Sequence, residues 1–176
     1  MKTIVAAIVV LLSFFLMSCK KDIPVPPGGN LINNPAFDSA GYPSLQGWTG
    51  IGYSFVNDVP PNGGPWSLQL EPQWMSEGYA ETYITGLNGN YNFHFSCYTK
   101  VLRDGIGTVT LRLKKQNNTL TDLATDSITN ADWAQAYLDI NVSLQPTDQL
   151  IVHLSAGRTE VANWQVLFNN VYLQKK

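Results

Sequence analysis

The sequence predicts an all-β domain, two antiparallel sheets packed face to face as a sandwich or jelly roll. Three observations predict it. Apolar residues recur at period two in many short segments. Turn-forming clusters separate them: Asn62-Gly63-Gly64-Pro65, Asn88-Gly89-Asn90, Asn117-Asn118 and Gly157. No segment sustains helical periodicity. Composition agrees, because only 14% of the 176 residues are charged while 11% are aromatic. Such a chain suits a sheet protein whose polar surface is made of Asn, Gln, Ser and Thr, and it suits disorder poorly.

Residues 1–18 read as a signal peptide. Met1-Lys2 is basic, and the apolar run from Ile4 to Met17, broken only by Ser13, is too short for an ordinary membrane span. The run ends in Leu16-Met17-Ser18-Cys19, which resembles the lipobox of bacterial lipoproteins. That resemblance implies cleavage before Cys19 and acylation of its thiol and new amino group, by chains such as palmitate. The implied partner is a membrane, reached through the lipid. Residues 19–29 then form a tether. Pro24, Pro26 and Pro27 favour extended backbone, Gly28-Gly29 adds a joint, and Lys20-Lys21 can attract anionic headgroups. Ser18-Cys19-Lys20-Lys21-Asp22 resembles lipoproteins of the Bacteroidetes type. With Lys20 and not Asp after the cysteine, the resemblance implies the outer membrane, periplasmic face or cell surface.

Residues 30–176 have the length of one domain. The net charge of −2 gives no electrostatic footprint for nucleic acid. With Cys19 acylated, Cys97 has no partner for a disulfide, and stability must come from the core. The strands follow in order. Trp66, Leu68 and Leu70 mark a short one, and Gly78 to Thr85 another. Tyr91, Phe93, Phe95, Cys97 and Val101 share one face of the clearest strand, with Asn92, His94, Ser96, Tyr98 and Lys100 on the other. Cys97 there reads as a buried small hydrophobe. After the turn Arg103-Asp104-Gly105, Val109, Leu111 and Leu113 alternate with Thr110, Arg112 and Lys114, so the two segments read as a hairpin-like pair. Leu138 to Leu144 and Leu150 to Leu154 alternate on either side of Pro146-Thr147-Asp148, and the last strand runs from about Gln165 to Leu173.

The two ends of the domain carry a resemblance. It opens with Asn30-Leu31-Ile32-Asn33-Asn34-Pro35-Ala36-Phe37-Asp38, reaches Leu45-Gln46-Gly47-Trp48, and closes with Val166-Leu167-Phe168-Asn169-Asn170-Val171-Tyr172-Leu173. This pairing resembles carbohydrate-binding modules of the galactose-binding-like jelly-roll type. Tyr91 to Lys100 is similar to that family's aromatic-rich strand ending in Lys, and Trp133 with the strand after it is similar to the one before the final pair. The resemblance implies first and last strands side by side, where acidic groups can clasp a structural calcium. Asp38 and Asn169 are the candidate ligands, and the amides Asn169-Asn170 serve equally as turn or bulge residues.

Carbohydrate recognition needs flat aromatics with polar groups around them. Two places qualify. One is the stretch from Trp66 through Gln73-Trp74-Met75 to Tyr79, in which Trp74 either binds or caps the open end of the sandwich. The other is the polar face of the hairpin pair, Asn92, His94, Tyr98, Lys100 and Arg112, which reads equally as a solvated outer face. Trp48, Trp66 and Trp133 adjoin alternating apolar runs and are expected in the core, while Trp164 fits either place. Nucleophile elbows, zinc spacings and phosphate-cradling glycines are missing. Spacing selects no carboxylate pair among Asp58, Glu71, Glu77, Glu81 and Glu160 for glycoside cleavage. The expectation is a lipid-anchored, non-catalytic domain that binds carbohydrate. Its rivals are a structural or protein-interaction lipoprotein and, third, a small polysaccharide-cleaving enzyme.

Overall fold

The computed structural model describes residues 29–72, 76–103, 105–157 and 164–176. Cys19 with the signal and tether, Trp74 and Glu160 lie outside the described residues. Two five-stranded antiparallel sheets make up the sandwich. The first has the order β10-β7-β12-β5-β4 and the second β3-β6-β11-β8-β9. In chain order the strands are β1 (Asp38–Ser39), β2 (Tyr42–Pro43), β3 (Thr49–Ile51), β4 (Tyr53–Val56), β5 (Ser67–Leu70) and β6 (Gly78–Ile84). Then come β7 (Gly89–Val101), β8 (Gly107–Lys114), β9 (Leu120–Ile128), β10 (Ala134–Leu144), β11 (Gln149–Ala156) and β12 (Val166–Lys175). The small β1-β2 ribbon stands apart from both sheets.

Period-two alternation does what it predicts. Along β7, Phe93, Phe95, Cys97 and Val101 are buried while His94, Ser96, Tyr98 and Lys100 are half-buried on the other side. These inward residues meet Leu68, Leu70, Phe168 and Leu173 of their own sheet and Val109, Leu111, Leu150, Val152 and Leu154 of the facing one. Each fully buried Phe or Leu contributes about 1.5–3 kcal/mol relative to exposure. Burial pushes the Cys97 thiol well above its ordinary pKa, so it packs as a small apolar group.

One expected pairing is overturned. Tyr91–Val101 and Val109–Leu113 do not form a hairpin-like pair, because β7 belongs to the first sheet and β8 to the second. Strand β7 pairs with β10 and β12, and β8 with β11 and β9. The chain leaving β7 is tied to the entry of β12, where Leu102 N–H donates to the Gln165 carbonyl at 2.9 Å. Alternation and a turn signal are local. Which sheet the next strand joins is decided by long-range packing.

Strand β12 closes the domain against its beginning. Leu31 N–H donates to the Leu173 carbonyl, and the Asn30 amide donates to the Val171 carbonyl while its oxygen accepts from Leu173 N–H. Midway, the pairing of β12 with β7 shifts register between Asn169 and Tyr172. Asn170 sits there at φ 48°, a left-handed conformation that Asn tolerates better than most residues. The freed Val171 N–H donates to the Pro35 carbonyl.

Candidate functional site

The two outer faces are built differently. On the first sheet, the segment between β4 and β5 folds back over the strands. Ser67 Oγ donates to the Asp58 carbonyl at 2.6 Å. The Asp58 carboxylate accepts from Lys100 Nζ at 2.7 Å and from Trp133 Nε1 at 3.0 Å. Burial opposes the Asp58 charge, but the hydrogen bonds from Lys100 and Trp133 and the Lys100 charge outweigh it. They hold the carboxyl below its usual range. Ser67, Leu167 and Asn169 are fully buried here although they lie outside the core cluster between the sheets.

Several sequence-selected residues fall on this face. Lys100 is committed to Asp58. His94 Nδ1 lies 2.7 Å from Asp139, and its ring stacks on Tyr137 with centroids 5.8 Å apart. Lys176 also bonds Asp139, and the Lys176 and His94 contacts together hold that exposed carboxyl below its ordinary value. Tyr98 stands half-buried between Gln135 and Asn169 in register. Arg112 is not among them. The single polar face expected from Asn92, His94, Tyr98, Lys100 and Arg112 is split, with Arg112 on the opposite side of the sandwich. Of the tryptophans expected in the core, Trp48 is there, packed on Phe37 at 5.3 Å. Trp66 and Trp133 are only half-buried because their indole N–H groups reach outward, to the Gly41 carbonyl and to Asp58. Trp164 packs on Gly105 and Gly157, where an added Cβ would stand 2.8 and 3.1 Å from it.

Asp38 and Asn169 do not make a fitting calcium site. The Asn169 amide is fully engaged: its oxygen accepts from Gly64 N–H, and its NH2 donates to the Trp66 carbonyl at 2.7 Å and to Ser67 Oγ at 3.0 Å. Donors on one side and acceptors on the other fix its orientation. Asp38 offers one buried oxygen with no partner, while its other oxygen accepts from Gly41 N–H. That falls far short of the six to eight hard oxygens calcium takes. Among the described residues no group of three His, Cys, Asp or Glu is arranged to hold a metal.

The outer face of the second sheet is chemically richer, and the outward side chains of its central strand, Ile151, His153 and Ser155, are buried beneath their neighbours. The register sets its rows. Ile51, Tyr79, Ser155, Thr108 and Ser127 lie side by side across β3, β6, β11, β8 and β9. Thr49, Glu81, His153, Thr110 and Thr125 form the next row, and Tyr83, Ile151, Arg112 and Asp122 the third. Glu81 is the hub. It accepts from Tyr83 OH at 2.7 Å, bonds His153 Nδ1 at 2.7 Å, and stands 3.4 Å from an Arg112 nitrogen whose Nε donates to Asp122 at 2.8 Å. The Glu81 hydrogen bond, with burial and the Glu81 charge behind it, raises the Tyr83 hydroxyl from 10.0 to about 12. The rings of Tyr79 and His153 stack at 5.6 Å. Ile51 and Tyr83 remain 43% and 42% exposed, so the face presents apolar surface to solvent beside its charges.

Of the sequence-selected binding residues that are described, the structure brings only Tyr79 and Arg112 together here. Glu81, Tyr83 and His153 were missed as binding groups. The signal for Glu81 and Tyr83 was present in the outward Tyr-Glu-Tyr alternation from Tyr79 to Tyr83. Of the described carboxylates considered for glycoside cleavage, Asp58 is on the first sheet's outer face, Glu71 is bonded to Gln69 and Gln165, and Glu77 and Glu81 both stand by His153.

No family model matches the chain, and no curated protein matches it in sequence. Solved structures do match it in fold. The carbohydrate-binding module TmCBM61, solved with β-1,4-galactotriose, is 13% identical with a TM-score of 0.59, covering 84% of this chain and 99% of that one. A family 16 carbohydrate-binding module is 17% identical at TM-score 0.60, with 82% and 99% covered. The first family 22 xylan-binding domain of Xyn10C from Paenibacillus barcinonensis is 17% identical at 0.58, with 84% and 95% covered. Each spans nearly its whole length on this chain, and all share the two-sheet jelly-roll sandwich.

Proposed function

We propose that this chain is a lipid-anchored, non-catalytic protein of the bacterial envelope that binds polysaccharide on the outer face of its second sheet. The observation that carries the binding role is the pairing of Tyr79 and Tyr83 with the Glu81, His153 and Arg112 network on that face. Aromatic surface stacks on the apolar faces of a pyranose, and carboxylates and guanidinium read the hydroxyls at its rim. The fold neighbours include a binding module solved with β-1,4-galactotriose and a xylan-binding domain, which supports a glycan as the ligand class. Cys19 in its lipobox-like setting supports the anchor, and Lys20 beside it supports the outer membrane, on its periplasmic face or the cell surface.

Native gels containing soluble xylan or β-1,4-galactan test the binding role. At least one should retard the protein, and Tyr79→Ala should weaken that retardation about three- to tenfold. No retardation by either polymer, or full retardation of the Tyr79 variant, would contradict it. The anchor is checked separately: Cys19→Ala should move the protein from the membrane fraction to the soluble one.

A second reading, a protein-interaction or structural lipoprotein, has one observation in its favour. Arg112 is held between Glu81 and Asp122, so this part of the face is satisfied within itself.

A further inference from the structure

His153 faces outward from the central strand of the second sheet yet is 2% exposed, and its Nε2 is buried without a hydrogen-bond partner. A buried polar atom left unpaired costs about 1–3 kcal/mol, so such an atom calls for an explanation. Its surroundings narrow the explanation. Nδ1 faces the Glu81 carboxylate at 2.7 Å, and a carboxylate only accepts, so the hydrogen of the neutral ring sits on Nδ1 and Nε2 presents a lone pair. Glu77 Oε1 stands 3.6 Å from Nε2, again an acceptor. With the ring neutral, two acceptors face each other across a gap wider than a hydrogen bond. The Glu77 side chain is 44% exposed and stands just before β6, so it can swing and open the way to Nε2. Tyr79, whose ring stacks on His153, supplies a flat wall beside the gap.

We infer that Glu77 and His153 are the specificity-determining pair of the glycan face, reading two adjacent hydroxyls of one sugar ring. One hydroxyl donates its hydrogen to His153 Nε2 and its neighbour donates to the Glu77 carboxylate. A vicinal diol matches the site because its two oxygens lie close together and each brings one donor. Glu81 holds the ring of His153 in place through Nδ1 and acts as a positioning residue, and Tyr79 receives the apolar face of the same sugar. The inference rests on the glycan reading above and adds the chemical group that is recognised.

Its test crosses variants with ligands. The probes are soluble xylan, whose ring hydroxyls at positions 2 and 3 are adjacent, and the same polymer acetylated at those hydroxyls. Full-length protein in detergent micelles is compared with Glu77→Ala and, separately, Tyr79→Ala, each checked by thermal unfolding. Glu77 is exposed and outside the core, so its loss leaves the fold in place even where a His153→Gln variant would not. Wild-type affinity for xylan should fall about tenfold on acetylation. Glu77→Ala should bind plain xylan about tenfold more weakly and lose little further on acetylation. If Glu77→Ala binds plain xylan as well as wild type while Tyr79→Ala does not, the diol-reading pair is refuted and the glycan face stands. If neither substitution weakens binding, the glycan reading of this face fails and the inference with it; if xylan does not bind at all, the diol-reading pair is refuted and binding of β-1,4-galactan decides the glycan reading.

Discussion

Tyr83 and Asp58 show, on opposite faces, how single hydrogen bonds set the charge of this protein. Tyr83 gives its hydrogen to Glu81, and ionising it would bring two negative groups together. Its folded pKa is raised above the unfolded one, so the stability it contributes is whole below about pH 10 and is lost as pH rises toward about 12. Tyr83→Phe should therefore flatten the fall of the unfolding midpoint across that alkaline range, and an unchanged profile would disprove the coupling. Asp58 works in the other direction. Its folded pKa is depressed, so its contribution is present above the ordinary carboxylate range and is lost as pH falls through the lower folded value. Its side chain is 41% exposed, so solvent screens the Lys100 pair, and Asp58→Asn should cost about 1 kcal/mol near neutral pH. The same substitution should shift Trp133 fluorescence and remove part of the acid sensitivity, both read in one denaturant titration series.

The strands divide into those that announce themselves and those that do not. β6, β7 and β10 carry period-two patterns because each buries about one side chain in two, and that constraint is written locally, whereas β11 and β12 are buried on nearly every residue. β3, β4 and β9 are short or exposed, with Leu120 52% exposed on β9, so little alternation marks them. Sheet membership was the information least available, because β7 and β8 look like hairpin partners until packing sends them to different layers. The candidate site inherited that limit. Tyr79 and Arg112 were recognisable by type, but the register that joins them to Glu81, Tyr83 and His153 is long-range. Strand β12 shows the other side of the matter. Asn169 fills its place with an amide whose two hydrogens bind the Trp66 carbonyl and Ser67 Oγ, which a carboxylate cannot do. Asn169→Asp should thus destabilise the domain by about 3 kcal/mol or more, since it buries a charge and strands both acceptors. Chelation should leave the wild-type melting temperature unchanged. A drop on chelation that calcium restores would overturn the metal-free account of this strand pair.

At the scale of the molecule, the two outer faces of the sandwich are built differently, one carrying a fastened loop and the other a charged network over a buried central strand. The first spends Lys100, Trp133 and Asn169 on fastening the segment around Asp58. The second keeps Ile51, Tyr79 and Tyr83 beside a carboxylate and guanidinium network. That asymmetry is the core of the functional account, and amide chemical-shift mapping tests it most directly. On adding β-1,4-galactotriose or soluble xylan to the isotope-labelled protein, shifts should concentrate at Tyr79, Glu81, Tyr83, Arg112 and His153 and leave Ser96, Tyr98 and Tyr137 still. Shifts gathered instead around Tyr98 and Tyr137, with the second sheet unmoved, would contradict it.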